Sequence, residues 1–229
     1  MVTAILLAAG KSERMGAGTD KAFLNIGSKP VIAWSLLAFE RCPDIDSIVL
    51  VVRKEQKMAA QSLARMFGIS KLSRIVAGGT RRQDSAAAGL EAADIDTRIA
   101  VVHDGARPCV TPEAISETVA AARRCGAAVL GRRMIDTVKY AARGTTVTRT
   151  EDRSRLWTVQ TPQAFNANLL RRAYKALAAD RKAEATDDAQ AVEMLGEDGV
   201  QIKIVESNAP NFKITTADDL QLAAAVLKV

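Results

Sequence analysis

The stretch LLAAGKSERMGAGTDKAF, residues 6–23, decides how the rest of the chain is read. Before it, residues 2–8 form a short uncharged run rich in aliphatic side chains, the pattern of a strand buried on both faces of a parallel sheet. A loop follows rather than a helix. Gly10, Gly16 and Gly18 allow backbone turns that side chains forbid and let amides approach a ligand, and Lys11, Arg14 and Lys21 accompany them. A glycine-rich turn at the carboxyl end of a first strand is where open α/β sheets bind nucleotides, and three nearby cations suit a triphosphate that must lose pyrophosphate. The competing reading is a surface loop with solvated lysines.

Spacing excludes two familiar phosphate loops. Gly10-Lys11-Ser12 matches the end of GxxxxGK[ST], but the first glycine of that motif would fall on Ile5, inside the strand. The dinucleotide fingerprint GxGxxG needs its glycines over one tight turn, whereas Gly10 opens the run GKSERM.

At 229 residues, 48% of them apolar, the chain can bury one full core, so residues 1–229 are expected to form a single domain. No apolar run approaches the roughly 20 residues of a membrane span. The N-terminus begins in a strand pattern without a charged lead and cleavage site, which gives a cytoplasmic expectation. Cys42, Cys109 and Cys125 are odd in number and lack CxxC spacing, so neither a disulfide framework nor a structural zinc site is indicated. His103 is the only histidine; triad chemistry is excluded unless His103 itself serves, and its place at the end of an apolar strand reads as structural. A net charge of +6 is compatible with nucleic acid, yet the basic residues are dispersed and aromatics are 4%, leaving few stacking platforms. An anionic small substrate accounts for the charge equally well.

Outward from the first loop, residues 30–40 (PVIAWSLLAFE) have helical apolar spacing, with the proline suited to the first turn and Trp34 and Leu37 packed inward. Residues 47–52 read as a second buried strand, 54–67 as a helix ended by Gly68, and 73–77 as a third strand. This βαβαβ alternation requires parallel strands with right-handed crossovers, hence a doubly wound α/β sheet. At the end of the third strand, GGTRRQDS (78–85) leads into a helix. Its glycines let backbone approach a flat ring and Ser85 can present a hydroxyl and amide to a base or ribose; the alternative is a tight turn with an ordinary N-cap. The fourth strand, 98–103, delivers Asp104-Gly105-Ala106-Arg107-Pro108 to the same sheet edge. An aspartate there binds metal, binds substrate hydroxyls, or caps the helix starting near Pro112.

After a helix over 113–125 and a strand over 127–131 the pattern changes. Residues 134–160 alternate polar and β-branched residues about a turn at Gly144: a hairpin-like arm, 134–153, followed by a strand. A two-stranded arm is marginal alone, so pairing with a second copy is expected. Thr161-Pro162-Gln163 is read as ending that next strand, Asn166 caps a helix through 179, and Thr186-Asp187-Asp188 is a second capping pattern. Residues 200–205 read as a strand, and Lys213 sits on an apparent short strand before a helix capped around Thr216, where a lone lysine is ordinarily exposed.

LLAAGKSERMG followed by DKAFLNIGSKPVIAWS resembles the LxAAGxGxRMG...PKQ[FY] signature of the nucleotidyltransferases, and within them most of all the 2-C-methyl-D-erythritol 4-phosphate cytidylyltransferase family of the non-mevalonate isoprenoid pathway. The resemblance recurs in the family's order as GGTRRQDSAAAGL, VVHDGARPCVT, DTVKY, LWTVQTPQAF, ATDDAQAVE and NFKITTADDL, over nearly the whole chain. It implies a mostly parallel, Rossmann-like α/β sheet with a protruding β-arm used for dimerisation, and transfer of the cytidylyl group of CTP to 2-C-methyl-D-erythritol 4-phosphate. By the same resemblance Arg14, Lys21 and Lys213 are catalytic. Ala8, Ala9, Gly10 and Lys11 bind CTP, and Gly79, Thr80 and Ser85, with Arg82 nearby, recognise its cytosine and ribose. Thr80 departs from the acidic residue that some members carry. Asp104 holds the acceptor's hydroxyls with Arg107 steadying it, Thr161 and Thr186 lie beside the acceptor, and Thr137 and Arg153 of the arm reach over the neighbour's site. Gly105 replaces a more usual alanine, a change expected to add flexibility and little else. Mg²⁺ is expected on the phosphates of CTP rather than on protein ligands, since no carboxylate cluster has ligand spacing. The expected partners are CTP, a polyol phosphate and a second copy of the chain, with neither nucleic acid nor membrane. Two rivals stand beside this reading: ribitol 5-phosphate as the acceptor, and a nucleotide-binding module without activity.

Overall fold

The computed structural model of the chain describes residues 1–10, 21–180 and 182–229. At its centre is a seven-stranded sheet of β1 (Val2–Ala8), β2 (Ser47–Val52), β3 (Leu72–Ala77), β4 (Ile99–Asp104), β5 (Gly126–Arg133), β6 (Trp157–Asn166) and β7 (Gln201–Glu206), in the order β7-β5-β6-β4-β1-β2-β3. β1 pairs in parallel with both β2 and β4, β2 with β3, and β7 with β5. β6 alone among these strands runs antiparallel, between β4 and β5. The doubly wound, mostly parallel expectation therefore holds. The chain order reverses at β1, which places the switch point of the sheet at the carboxyl end of that strand.

Helices α1 (Val31–Arg41), α2 (Lys57–Met66), α3 (Arg82–Glu91), α4 (Pro112–Cys125), α5 (Ala167–Ala179), α6 (Asp188–Glu193) and α7 (Ala217–Leu227) accompany the sheet. Successive β1 side chains divide between two cores. Ala4, Leu6 and Ala8 pack in a cluster with Ile32, Phe39 and Ile115, whereas Ile5 packs with Leu90, Phe165 and Leu170. Cover on both faces is why β2, SIVLVV, shows no polar alternation and is buried throughout. Helix ends follow from local chemistry. Thr111 Oγ1 accepts from Ala114 N at 3.3 Å to start α4, Asn166 caps α5, and Gly126 at φ +85° closes α4.

Several expectations need correction. α1 buries Ile32, Leu36 and Phe39, an i, i+4, i+7 stripe, with Trp34 and Leu37 packed half-buried against the cores as expected, but Pro30 stands at the N-cap rather than inside the first turn. Thr161-Pro162-Gln163 does not end a strand but lies within β6, where the pairing to β5 shifts register between Val159 and Gln163. Lys213 sits on a segment outside any strand, held by the Ile214 N–H donating to Ala106 O at 2.8 Å. The arm is a hairpin as read, but its ladder is only Lys139–Tyr140 against Arg149–Thr150, with Gly144 at φ +57° between them. No described helix is long and apolar enough to cross a membrane.

Candidate active site

The carboxyl ends of β1, β3 and β4 converge on a cleft of about 480 Å³. Ala8, Ala9, Gly10, Lys21, Gly79, Thr80, Arg82, Ser85, Asp104 and Lys213 all line it, joined by Arg53, Lys54 and Glu55 after β2. Lys11 and Arg14 lie outside the described residues. A larger depression of about 690 Å³ between α2 and the edge strand β3 collects none of these groups. Convergent charge at a switch point identifies the site better than volume does.

The turn after β3 is glycine because it packs against its own surroundings. A Cβ on Gly78 would stand 2.4 Å from the Ala9 Cβ, and one on Gly79 would stand 2.5 Å from the Asp84 Cβ. Ser85 Oγ accepts from Gly79 N and donates to Arg81 O, both at 3.1 Å, so this hydroxyl braces the turn at the start of α3. The Thr80 hydroxyl is engaged with Asp84 Oδ2 at 3.1 Å, which is where its side chain is directed in this fold.

Asp104 is the electrostatic centre. Arg82 Nε donates to its Oδ1 at 3.2 Å, Lys213 Nζ donates to its Oδ2 at 2.9 Å, and Arg107 Nε stands 3.6 Å from Oδ2. Burial alone would raise the Asp104 pKa, but the charges of Arg82, Lys213 and Arg107 outweigh it and hold the carboxyl well below the usual carboxylate range. Asp104 does not cap α4, because Thr111 does. Arg107 lies behind the cleft with Nη1 donating to Asn211 O at 2.8 Å. Gly105 does more than add flexibility: a Cβ there would meet Ile32 Cδ1 at 2.4 Å and Leu7 O at 3.1 Å, so its lack of a side chain lets the Asp104 turn sit close against β1.

Behind Asp104, Thr161 and His103 form a buried brace. The Asp104 N–H donates to Thr161 Oγ1 at 3.0 Å, and the same oxygen is 3.0 Å from His103 Nδ1. His103 Nε2 is 3.3 Å from Arg107 O, which only accepts, so Nε2 carries the ring proton and Nδ1 accepts from Thr161. Thr161 is thus directed at the backbone of the site rather than into the cleft. Burial pushes the His103 pKa down to about 3. The unfolded chain, with an ordinary value of about 6.5, takes up a proton that the fold refuses, so this contribution is full above about pH 6.5 and is lost between there and about pH 3. The gap in urea-unfolding free energy between wild type and His103→Gln is therefore expected to narrow by about 2 kcal/mol from pH 7 to pH 5. A gap that does not change with pH contradicts the neutral, buried ring.

Asp188 is a residue that the sequence reading missed. Asp187 is the N-cap of α6, accepting from Gln190 N at 2.8 Å, whereas Asp188 is 1% exposed and turned toward Arg82. Gln83 and Gln163 were likewise passed over. Gln83 Oε1 accepts from Ala185 N at 2.9 Å and Gln163 Oε1 accepts from Ala189 N at 3.0 Å, so the segment carrying Thr186 is strapped between α3 and β6. Thr186 Oγ1 donates to Gln190 Oε1 at 3.0 Å. The available signals were a second acid beside a capping acid and a tyrosine, Tyr174, within the apolar stripe of α5. Thr137 and Arg153 belong to the exposed arm, and neither lines the cleft of its own chain.

A nucleotide-sized cleft at the switch point of a mostly parallel sheet, with cations gathered on one aspartate, suits an α/β enzyme that handles nucleotide phosphates. Residues 2–229 match the family described as IspD: 2-C-methyl-D-erythritol 4-phosphate cytidylyltransferase. A 2-C-methyl-D-erythritol 4-phosphate cytidylyltransferase from Pelotomaculum thermopropionicum is 44% identical over 228 residues, covering 99% of this chain and 94% of the relative. The crystal structure of a 4-diphosphocytidyl-2C-methyl-D-erythritol synthase from Anaerococcus prevotii superposes with a TM-score of 0.89 at 30% identity, covering 100% of this chain and 96% of the other. That of the Thermus thermophilus cytidylyltransferase gives 0.78 at 33% identity, covering 98% of both chains. The chain belongs to the 2-C-methyl-D-erythritol 4-phosphate cytidylyltransferase family.

Proposed function

We infer that the chain transfers the cytidylyl group of CTP to 2-C-methyl-D-erythritol 4-phosphate, giving 4-CDP-2-C-methyl-D-erythritol and pyrophosphate in isoprenoid precursor synthesis. Beside the family match, the observation that carries this reading is the ionised Asp104 held by Arg82, Arg107 and Lys213 at the rim of the β1 turn. An acceptor phosphate oxygen attacks the α-phosphorus of CTP in line, a P–O bond forms, and the bond to pyrophosphate breaks. No covalent enzyme intermediate is needed. Both reactants are anions, so the chain's task is alignment and charge neutralisation. Lys21 and Lys213 face the cleft from opposite ends of the sequence, and with Arg14 they would surround the α-phosphate. The Gly10 turn would take the triphosphate and the Gly79–Ser85 corner the cytidine. Asp104, fixed by its cations, would accept from the hydroxyls of the acceptor, with Arg107 and Thr161 fixing that turn from behind and Thr186 at its margin.

Mg²⁺ fits this arrangement as a companion of CTP. Both Asp104 oxygens are already engaged by cations, and among the described residues no three His, Cys, Asp or Glu side chains gather to hold a metal. When bound to the triphosphate oxygens the ion would neutralise charge on the leaving pyrophosphate. The second copy of the chain enters through the arm, residues 134–153, with Thr137 and Arg153 reaching the partner's acceptor.

Initial rates of pyrophosphate release with CTP and a panel of polyol phosphates test the reading. Turnover is expected to be fastest with 2-C-methyl-D-erythritol 4-phosphate. Equal or better turnover of ribitol 5-phosphate would overturn the acceptor, and CTP binding without pyrophosphate release with any acceptor would overturn the activity.

A further inference from the structure

Arg82 stands between two carboxylates. Its Nη1 and Nη2 donate to Asp188 Oδ1 and Oδ2 at 3.0 and 2.9 Å, while its Nε donates to Asp104 Oδ1 at 3.2 Å. The Asp188 carboxylate is itself oriented by the Tyr174 hydroxyl, which donates to Oδ1 at 2.7 Å in a buried contact. The helix that carries Asp188 does not need it as a cap, because Asp187 serves. A buried ion pair is also weak evidence for net stability, since desolvation offsets the attraction. What the fork does supply is a fixed guanidinium plane.

We propose that Asp188 is a positioning residue for the acceptor: it clamps Arg82, and through Arg82 it fixes the rotation of the Asp104 carboxylate that receives the acceptor's hydroxyls. Without the fork, the guanidinium is free to rotate out of the plane in which it meets Asp104. Asp104 Oδ1 then loses its partner, and the carboxylate turns with Lys213 on Oδ2. The inference rests on the reading of Asp104 as the acceptor's ligand, and it extends the site to a residue that never touches substrate.

The test uses the intact enzyme and reads KM for the polyol phosphate, KM for CTP, kcat and Tm. Asp188→Asn keeps the shape and removes the charge. It is expected to raise the acceptor KM about tenfold, as loss of a charged hydrogen-bond pair does, with the CTP KM and kcat each within about threefold. Tyr174→Phe removes one bond to Asp188 and is expected to raise the acceptor KM about threefold. Because Asp188 acts through Asp104, Asp104→Asn combined with Asp188→Asn is expected to be no worse than Asp104→Asn alone. A loss confined to kcat and matched by a smaller folded fraction, an unchanged acceptor KM in Asp188→Asn, or additive effects in the double variant overturns the proposal. If Asp104→Asn leaves the acceptor KM unchanged, the reading of the acceptor side fails and this inference falls with it. If Asp104→Asn raises that KM and Asp188→Asn does not, only the inference fails. Should Asp188→Asn not fold, Tyr174→Phe decides alone, and an unchanged acceptor KM rejects the clamp.

Discussion

Lys213→Ala and Lys21→Ala are each expected to lower kcat by about 10² to 10³-fold while CTP affinity, read by calorimetry, stays within about threefold. The reason is where charge develops. As the α-phosphorus becomes pentacoordinate, negative charge concentrates on its equatorial oxygens, and a cation aimed there stabilises the transition state more than the ground state. In the resting site Lys213 is docked on Asp104 at 2.9 Å with its side chain 35% exposed, so it is both oriented and accessible to an arriving phosphate. Its removal leaves Asp104 with Arg82 and Arg107, which limits the damage to the resting structure. Wild-type kcat in either variant would refute the assigned role, and an unchanged kcat/KM for CTP together with a large loss of Tm would make Lys213 a structural residue.

Mixing Lys21→Ala subunits with Arg153→Ala subunits and allowing exchange, with the acceptor well below the raised KM of Arg153→Ala, is expected to restore roughly a quarter to a half of the sites. If arms cross a twofold axis, one site of each heterodimer carries both lesions and the other carries neither; random exchange gives the lower figure and complete heterodimer the upper. The arm itself supports crossing. It carries Lys139, Arg143, Arg149 and Arg153, exposes Ile135, Tyr140 and Val147, and has a ladder of two residue pairs. Part of that charge is already matched, since Arg149 pairs with Glu151 at 2.8 Å and stacks 4.1 Å over Tyr140, while Arg153 donates to Ile135 O. Arg153→Ala should accordingly raise KM for the polyol phosphate more than for CTP. Activity that stays at the level of the separate variants, with exchange verified, would remove the arm from the site.

The parallel part of the sheet was legible because strands covered on both faces have no polar alternation, as in SIVLVV and IAVVHD, and because helices intervene. The direction of β6 was not, since a strand's composition carries no polarity and its neighbours β4 and β5 are set by tertiary packing. The bulge of β6 at Thr161-Pro162-Gln163 imitated a strand end for the same reason. That Gly10 and the turns after β3 and β4 meet at one sheet edge was legible, because turn glycines and charges at strand ends are local signals. Asp188 was hidden by its position in a capping pattern, and its partners Arg82 and Tyr174 lie on other helices. Gly105 was undervalued because the atoms that forbid a side chain there belong to Ile32 and Leu7, far away in sequence. Lys213 looked exposed on a local reading; the Asn211 side chain, donating to Thr161 O at 2.7 Å, and the Ile214 amide draw its segment onto the site.

Phosphorus NMR of one incubation containing the enzyme, CTP, Mg²⁺ and 2-C-methyl-D-erythritol 4-phosphate tests the central claim most directly. Direct transfer predicts that CTP and the acceptor's phosphomonoester disappear together, replaced in equal amounts by pyrophosphate and a two-phosphorus diphosphate diester. CMP with pyrophosphate and an unconsumed acceptor, or CTP that binds and persists unchanged, would contradict it.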